Sequence, residues 1–159
     1  TVENLLRRII MAIAQAICNA FKKQLLEGDA NFTQTTGDKF KLALYLDTAN
    51  LSAATTSFTT TGQSTDTGSG DYASGGKNLA VGSQQTSVAT GVAIVDFADL
   101  SFTGVTLTAR GALIYNTSSA VTNAAVAVLD FGGDKTATAG TFTIQFPAFT
   151  TSAAILRIS

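Results

Sequence analysis

The segment KFKLALYLD, residues 39–47, alternates: Phe40, Leu42, Leu44 and Leu46 fall on one face, and Lys39, Lys41, Ala43 and Tyr45 on the other. A period of two with one apolar face predicts a half-buried strand. Upstream the period is helical. Leu6, Ile10, Ile13, Ile17, Phe21 and Leu25 recur at helical spacing, and Gly28 stands where a C-cap belongs. This predicts an amphipathic helix over residues 11–28. Lys22 and Lys23, toward its C-terminal end, suit the helix dipole.

Further along come QTSVAT, VAIVDF, GVTLTA, GALIYN, AAVAVLDF, TFTIQF and AAILRIS, short β-branched or aromatic runs separated by Gly, Ser, Asn and Asp. Such a series predicts a mainly β fold, an antiparallel β-sandwich of jelly-roll or Ig-like type over residues 31–159, forming one domain with the N-terminal α-helix. Gly132-Gly133-Asp134 and Ala139-Gly140 read as hairpin turns, and Pro147 as the end of a strand. IVDF and LDF look alike but define no period, so no repeat architecture follows. Between the first strand and this series lies TANLSAATTSFTTTGQSTDTGSGDYASGGKNLAVG, rich in turn-formers and poor in apolar anchors. Short strands are expected in it around residues 57–61 and 77–81. Long irregular segments often carry function, and this one is the best candidate for a contact surface.

The first ten residues call for a separate reading. Met11 is the only methionine, and Arg7-Arg8-Ile9-Ile10 can be encoded by a ribosome-binding sequence at suitable spacing before an ATG. Residues 1–10 are therefore expected to be a mis-called upstream leader, with the native chain starting at Met11. A secretory signal competes, with Arg7-Arg8 before IIMAIA and an Ala14-Gln15-Ala16 cleavage motif, but its apolar run is short and Lys22-Lys23 follow closely.

With 159 residues the chain suits one core. It is 45% hydrophobic but only 13% charged, which leaves a surface of Thr, Ala, Ser and Gly. A net charge of -1 with scattered basic residues gives no footprint for nucleic acid. No run approaches the length of a membrane span, so no membrane partner is expected. Histidine is absent and cysteine occurs once, which removes His-based triads, most zinc sites and any intrachain disulfide. Cys18 reads as an inert buried thiol.

The remaining motifs are weak. GDYASGGKN, residues 70–78, invites comparison with a phosphate-binding loop, yet Asp71 replaces its first glycine, Asn78 its hydroxyl residue, and a strand should follow where that loop needs a helix. Asp96 and Asp99 lack a third acidic neighbour for calcium and read only weakly as a hydrolytic pair. Arg110, the only charge between Asp99 and Asp130, demands a partner: Asp96, Asp99, Asp130 or carbonyls within the fold, or else an acid on another subunit. No catalytic, metal-binding or cofactor-binding residue is assigned, and no enzyme activity is expected.

FKKQLLEG…FTQTTGDKFKLALYLDTANL, YASGG, DFADLSFTGVTLTARGALIYN and AVAVLDFGGDK…GTFTIQFPA…AILRI resemble a family of small tailed-bacteriophage virion structural proteins over residues 12–159. ARGALIYN and VLDFGGDK are the most specific pieces, and Phe102 stands where relatives often have Trp. The resemblance implies a non-enzymatic structural or accessory protein, a capsid decoration or tail component. It would bind phage coat or tail proteins and copies of itself in a homo-oligomer, in particles made in a bacterial cytoplasm. The alternative is an adhesin-like module that binds host-surface glycan through the turn-rich segment running from the fifties into the seventies; the absence of Trp argues against it.

Overall fold

GVTLTA and GALIYN form a single strand. The computed structural model of the chain describes residues 13–33, 35–89 and 91–159, with the backbone alone for 81–89. In it β6 (Leu100–Asn116) pairs antiparallel with β7 (Ala124–Ile144) from Leu100↔Ile144 to Asn116↔Ala124. The two hairpin turns expected inside this region are bulges instead. Ala109 faces Lys135 and Gly111 faces Asp130, so Arg110 alone opposes residues 131–134. Gly132 at φ 72 lets that extra chain fold outward. A second shift near Val105 is matched by Ala139 at φ 44. Residues that favour positive φ serve turns and bulges equally, and here long-range pairing chooses the bulge.

The ribbon is the spine of a five-stranded sheet ordered β1-β7-β6-β2-β3, where β1 is Ala16–Ile17, β2 is Phe40–Tyr45 and β3 is Lys77–Leu79. A three-stranded sheet has the order β4-β5-β8, formed by Val81–Ala89, Val92–Phe97 and Leu156–Ile158. All these pairings are antiparallel. The chain is mainly β and antiparallel, as the sequence pattern leads one to expect, and among the described residues its one helix, α1 (Asn19–Glu27), is short.

The helix is shorter than residues 11–28. From Ile13 to Cys18 the chain is extended: Ala14 N donates to Leu51 O (2.9 Å), Ala16 and Ile17 pair with Val128 and Ala127, and Cys18 N donates to Val126 O (2.9 Å). The apolar spacing fits a helix, but an extended path satisfies the open edge of β7 while burying Ile13 and Cys18. Propensity is a weak prior that such packing overrides. The C-terminal end is as expected: Gly28 is left-handed at φ 71, its N–H reaching Gln24 O and Leu25 O. Lys22 and Lys23 lie outside the last turn, and Lys23 pairs instead with Glu27 at 3.2 Å. The proposed leader and the Arg7-Arg8 signal reading lie outside the described residues.

Strand β2 is buried on both faces, since Ala43 and Tyr45 are as fully enclosed as Phe40, Leu42 and Leu44. The half-buried pattern fails because a second layer covers the face expected to meet water. A column of rings joins the parts. Phe21 of α1 meets Phe32 edge-on, Phe32 stacks on Phe40 at 4.7 Å, and Phe40 and Phe146 both touch Phe97 of β5. Burying each such ring contributes about 1.5–3 kcal/mol.

Candidate functional site

The segment between β2 and β3 is the second layer. No regular strand forms at residues 57–61; Ser57 makes an isolated bridge to Ala124. The expected strand near residues 77–81 is present as β3 and the start of β4. All three tyrosines of the chain fasten this layer to the sheet. Tyr45 Oη donates to Thr59 O, and Tyr115 Oη donates to Gly75 O at 2.7 Å. Tyr72 Oη accepts from Leu44 N and Gln63 Nε2, both at 3.0 Å, and lies 3.3 Å from Leu44 O. Strand β3 covers β2 only as far as Leu42, so the Tyr72 hydroxyl serves the next open N–H in place of a strand. Burial raises the pKa of each of these phenols above the usual tyrosine range.

Two carboxylates clasp the same layer to β6. Asp66 accepts from Thr106 N (2.7 Å), Gly68 N (2.9 Å) and Gly70 N (2.9 Å). Asp71 accepts from Thr103 N (2.8 Å) and Thr103 Oγ1 (3.0 Å) and pairs with Lys77. The Thr106 and Gly68 N–H groups hold Asp66 below the usual carboxylate range; for Asp71 the Lys77 ammonium contributes first. Neither residue stands out in the polar pattern. The signal available was the spacing D-T-G-S-G, an acid followed by glycines whose N–H groups can turn back to it.

The singled-out residues take structural places. Arg110 pairs within the chain, Nε to Asp130 Oδ1 at 3.0 Å and Nη2 to Asp130 Oδ2 at 3.4 Å, and both side chains are partly exposed. Asp96 is buried and accepts its neighbour's N–H, from Phe97, at 2.9 Å; desolvation raises its pKa, with Asp99 adding to the rise. Asp99 accepts from Phe146 N at 2.8 Å and fixes the chain after β7. Gly75 and Gly76 both have positive φ, and Gly76 lies so close to β2 that a Cβ would stand 1.7 Å from Leu42 O. This is a packing turn followed by a strand, with no helix N-terminus to receive phosphate. Cys18 is fully buried, its thiol pKa pushed up to about 11 by desolvation. Among the described residues, no group of three or more acidic, His or Cys side chains converges as a metal site, and no helix is long and apolar enough to cross a membrane.

Away from the bulge that holds Arg110, Asp130, Asp134 and Lys135, the outward side chains of the ribbon are mostly serine and threonine. On the ribbon, Ser101 Oγ meets Thr143 Oγ1 and Thr108 Oγ1 meets Thr136 Oγ1, both at 2.9 Å, while Ala139 N donates to Thr106 Oγ1 at 2.9 Å. Beside β7 runs a groove of about 430 Å³ lined by Phe131, Lys135, Thr141, Phe142 and Gln145. A second, more apolar groove of about 530 Å³ lies between α1 and β8, where Leu26 and Ile158 are exposed. Comparison of the chain with protein-family models, with curated proteins and with solved structures finds no match.

Proposed function

We propose that this protein is a non-enzymatic structural or accessory protein of a bacteriophage virion, binding coat or tail proteins and further copies of itself. The observation that carries the reading is the outward face of the β6–β7 ribbon, a long threonine- and serine-bearing surface whose charged residues, Arg110, Asp130, Asp134 and Lys135, are confined to the neighbourhood of one bulge. A neutral surface loses little on desolvation when another protein packs on it, and interface cores are depleted in charge. The resemblance of ARGALIYN and VLDFGGDK to virion proteins points the same way. In this reading Arg110 and Asp130, which sit in those two segments, set the bend of the ribbon.

The glycan-binding alternative draws less support. The segment it would use turns Tyr72, Ser64 and Leu51 inward, and its Asp66 and Asp71 are engaged with β6. Immunogold electron microscopy with antibody against the chain tests the proposal. Regular labelling of capsids or tails is expected; unlabelled particles beside labelled host debris would overturn it.

A further inference from the structure

Strand β7 has two edges with very different fates. One is bonded to β6 throughout. The other is covered near its start, where Ala125 N donates to Thr56 O (3.0 Å), Val126 O accepts from Cys18 N (2.9 Å) and β1 pairs with Ala127 and Val128. Beyond Val128, among the described residues, nothing pairs with that edge as far as Ile144. The opposite margin of the ribbon is handled otherwise: Thr67 N donates to Thr106 O and Asp71 N to Thr103 O, while Asp66 and Asp71 take the N–H groups of Thr106 and Thr103. Among the described residues, the backbone closes one margin and leaves the other open.

Open edges template pairing with another chain, and proteins usually blunt them with lysine, proline or inward-pointing charge. From Thr136 to Phe146 this strand carries no charged residue and no proline. Its one protective feature is the bulge near Ala139. We propose that the Thr136–Ile144 edge of β7 is a self-association surface, joining two copies antiparallel about a two-fold axis.

The identity of the partner follows from the charge pattern. A two-fold antiparallel pairing sets this segment against itself, and like charges placed opposite one another would destabilise it. With the axis anywhere between Ala137 and Gly140, Asp134 and Lys135 of each copy meet only uncharged residues of the other. A neutral edge of this kind is compatible with itself in a way that a charged edge is not. The groove walled by Phe131 and Phe142, whose rings lie 6.2 Å apart, runs beside the same strand and offers side-chain contact in addition to backbone bonds. The pairing consumes the open edge of both copies, so the assembly closes at a dimer.

This deepens the self-association half of the proposed function, and its test does not depend on finding the chain in a virion. Sedimentation of the full chain at about 100 μM, where a micromolar interface is populated, should give a dimer. The double variant T138K/T141K places charge on two exposed positions of the edge and should sediment as a monomer with an unchanged circular dichroism spectrum. Hydrogen exchange of the unaltered chain supplies a second readout: amides between Thr136 and Ile144 should gain protection as concentration rises. A wild-type monomer, a dimer indifferent to the two lysines, or protection of this strand that does not change with concentration would each overturn the proposal. None of these outcomes bears on whether particles contain the chain.

Discussion

Replacing Tyr72 with Phe removes one oxygen and little else, so it isolates the fastening of the covering layer. The ring stays in its edge-on contact with Phe102, with centroids 5.1 Å apart. What is lost is the acceptor for Leu44 N, in a region where Leu44 itself is fully buried. Leu44 O keeps its bond from Ser64 N at 2.9 Å, so the carbonyl is not orphaned. Gln63 Nε2 can turn to water because its residue is only partly buried. The cost is therefore one stranded buried N–H, about 1–3 kcal/mol. Tyr72→Ala adds loss of the ring and should cost about 3–5 kcal/mol in total. Urea unfolding monitored by circular dichroism measures both. A Tyr72→Phe change below about 0.5 kcal/mol with an unaltered m-value would refute the assignment, since losses that small are typical of surface positions.

Gly76→Ala should destabilise by about 3–5 kcal/mol or abolish soluble expression, because the new methyl meets the backbone of β2 at a positive φ; near-wild-type stability in urea would contradict the packing described. Cys18 should resist a thiol reagent at neutral pH and react fully in denaturant. Its folded pKa is raised, so the native state holds a proton that the unfolded state gives up, and stability should fall as pH rises from about 9 to 11. Asp66 and Asp71 behave oppositely: their folded pKa values are depressed, so their contribution is present above the ordinary aspartate range and is lost as pH falls through and below it. Limited proteolysis should accordingly cut within residues 62–76 sooner on acidification, and Asp66→Asn should reduce that pH dependence.

The strands whose pattern is local were legible from sequence. KFKLALYLD and VAIVDF are strands where alternation or β-branched runs place them, and Gly28 ends the helix because a left-handed residue is needed there. What escaped depends on distant partners. Ile13 and Ile17 have helical spacing, but a bridge to Leu51 holds the first in extension and pairing with Ala127 on the edge of β7 holds the second. Gly132 and Ala139 mark positive φ without saying whether the chain reverses or bulges; the answer lies in the register with β6. The covering layer was legible as irregular but not as buried, because its anchors are three tyrosine hydroxyls and two aspartates whose acceptors and donors belong to β2, β6 and the turn itself. Arg110 required a partner from sequence, and only the register selects Asp130.

Quantitative mass spectrometry of gradient-purified phage particles tests most directly where the protein ends up. Particles would be compared with the infected-cell lysate, before and after a high-salt wash. A virion component should be present at a fixed, stoichiometric ratio to the coat protein and be retained through the wash, because a neutral interface offers salt few ion pairs to screen. Abundance in the lysate with absence from intact particles would contradict it.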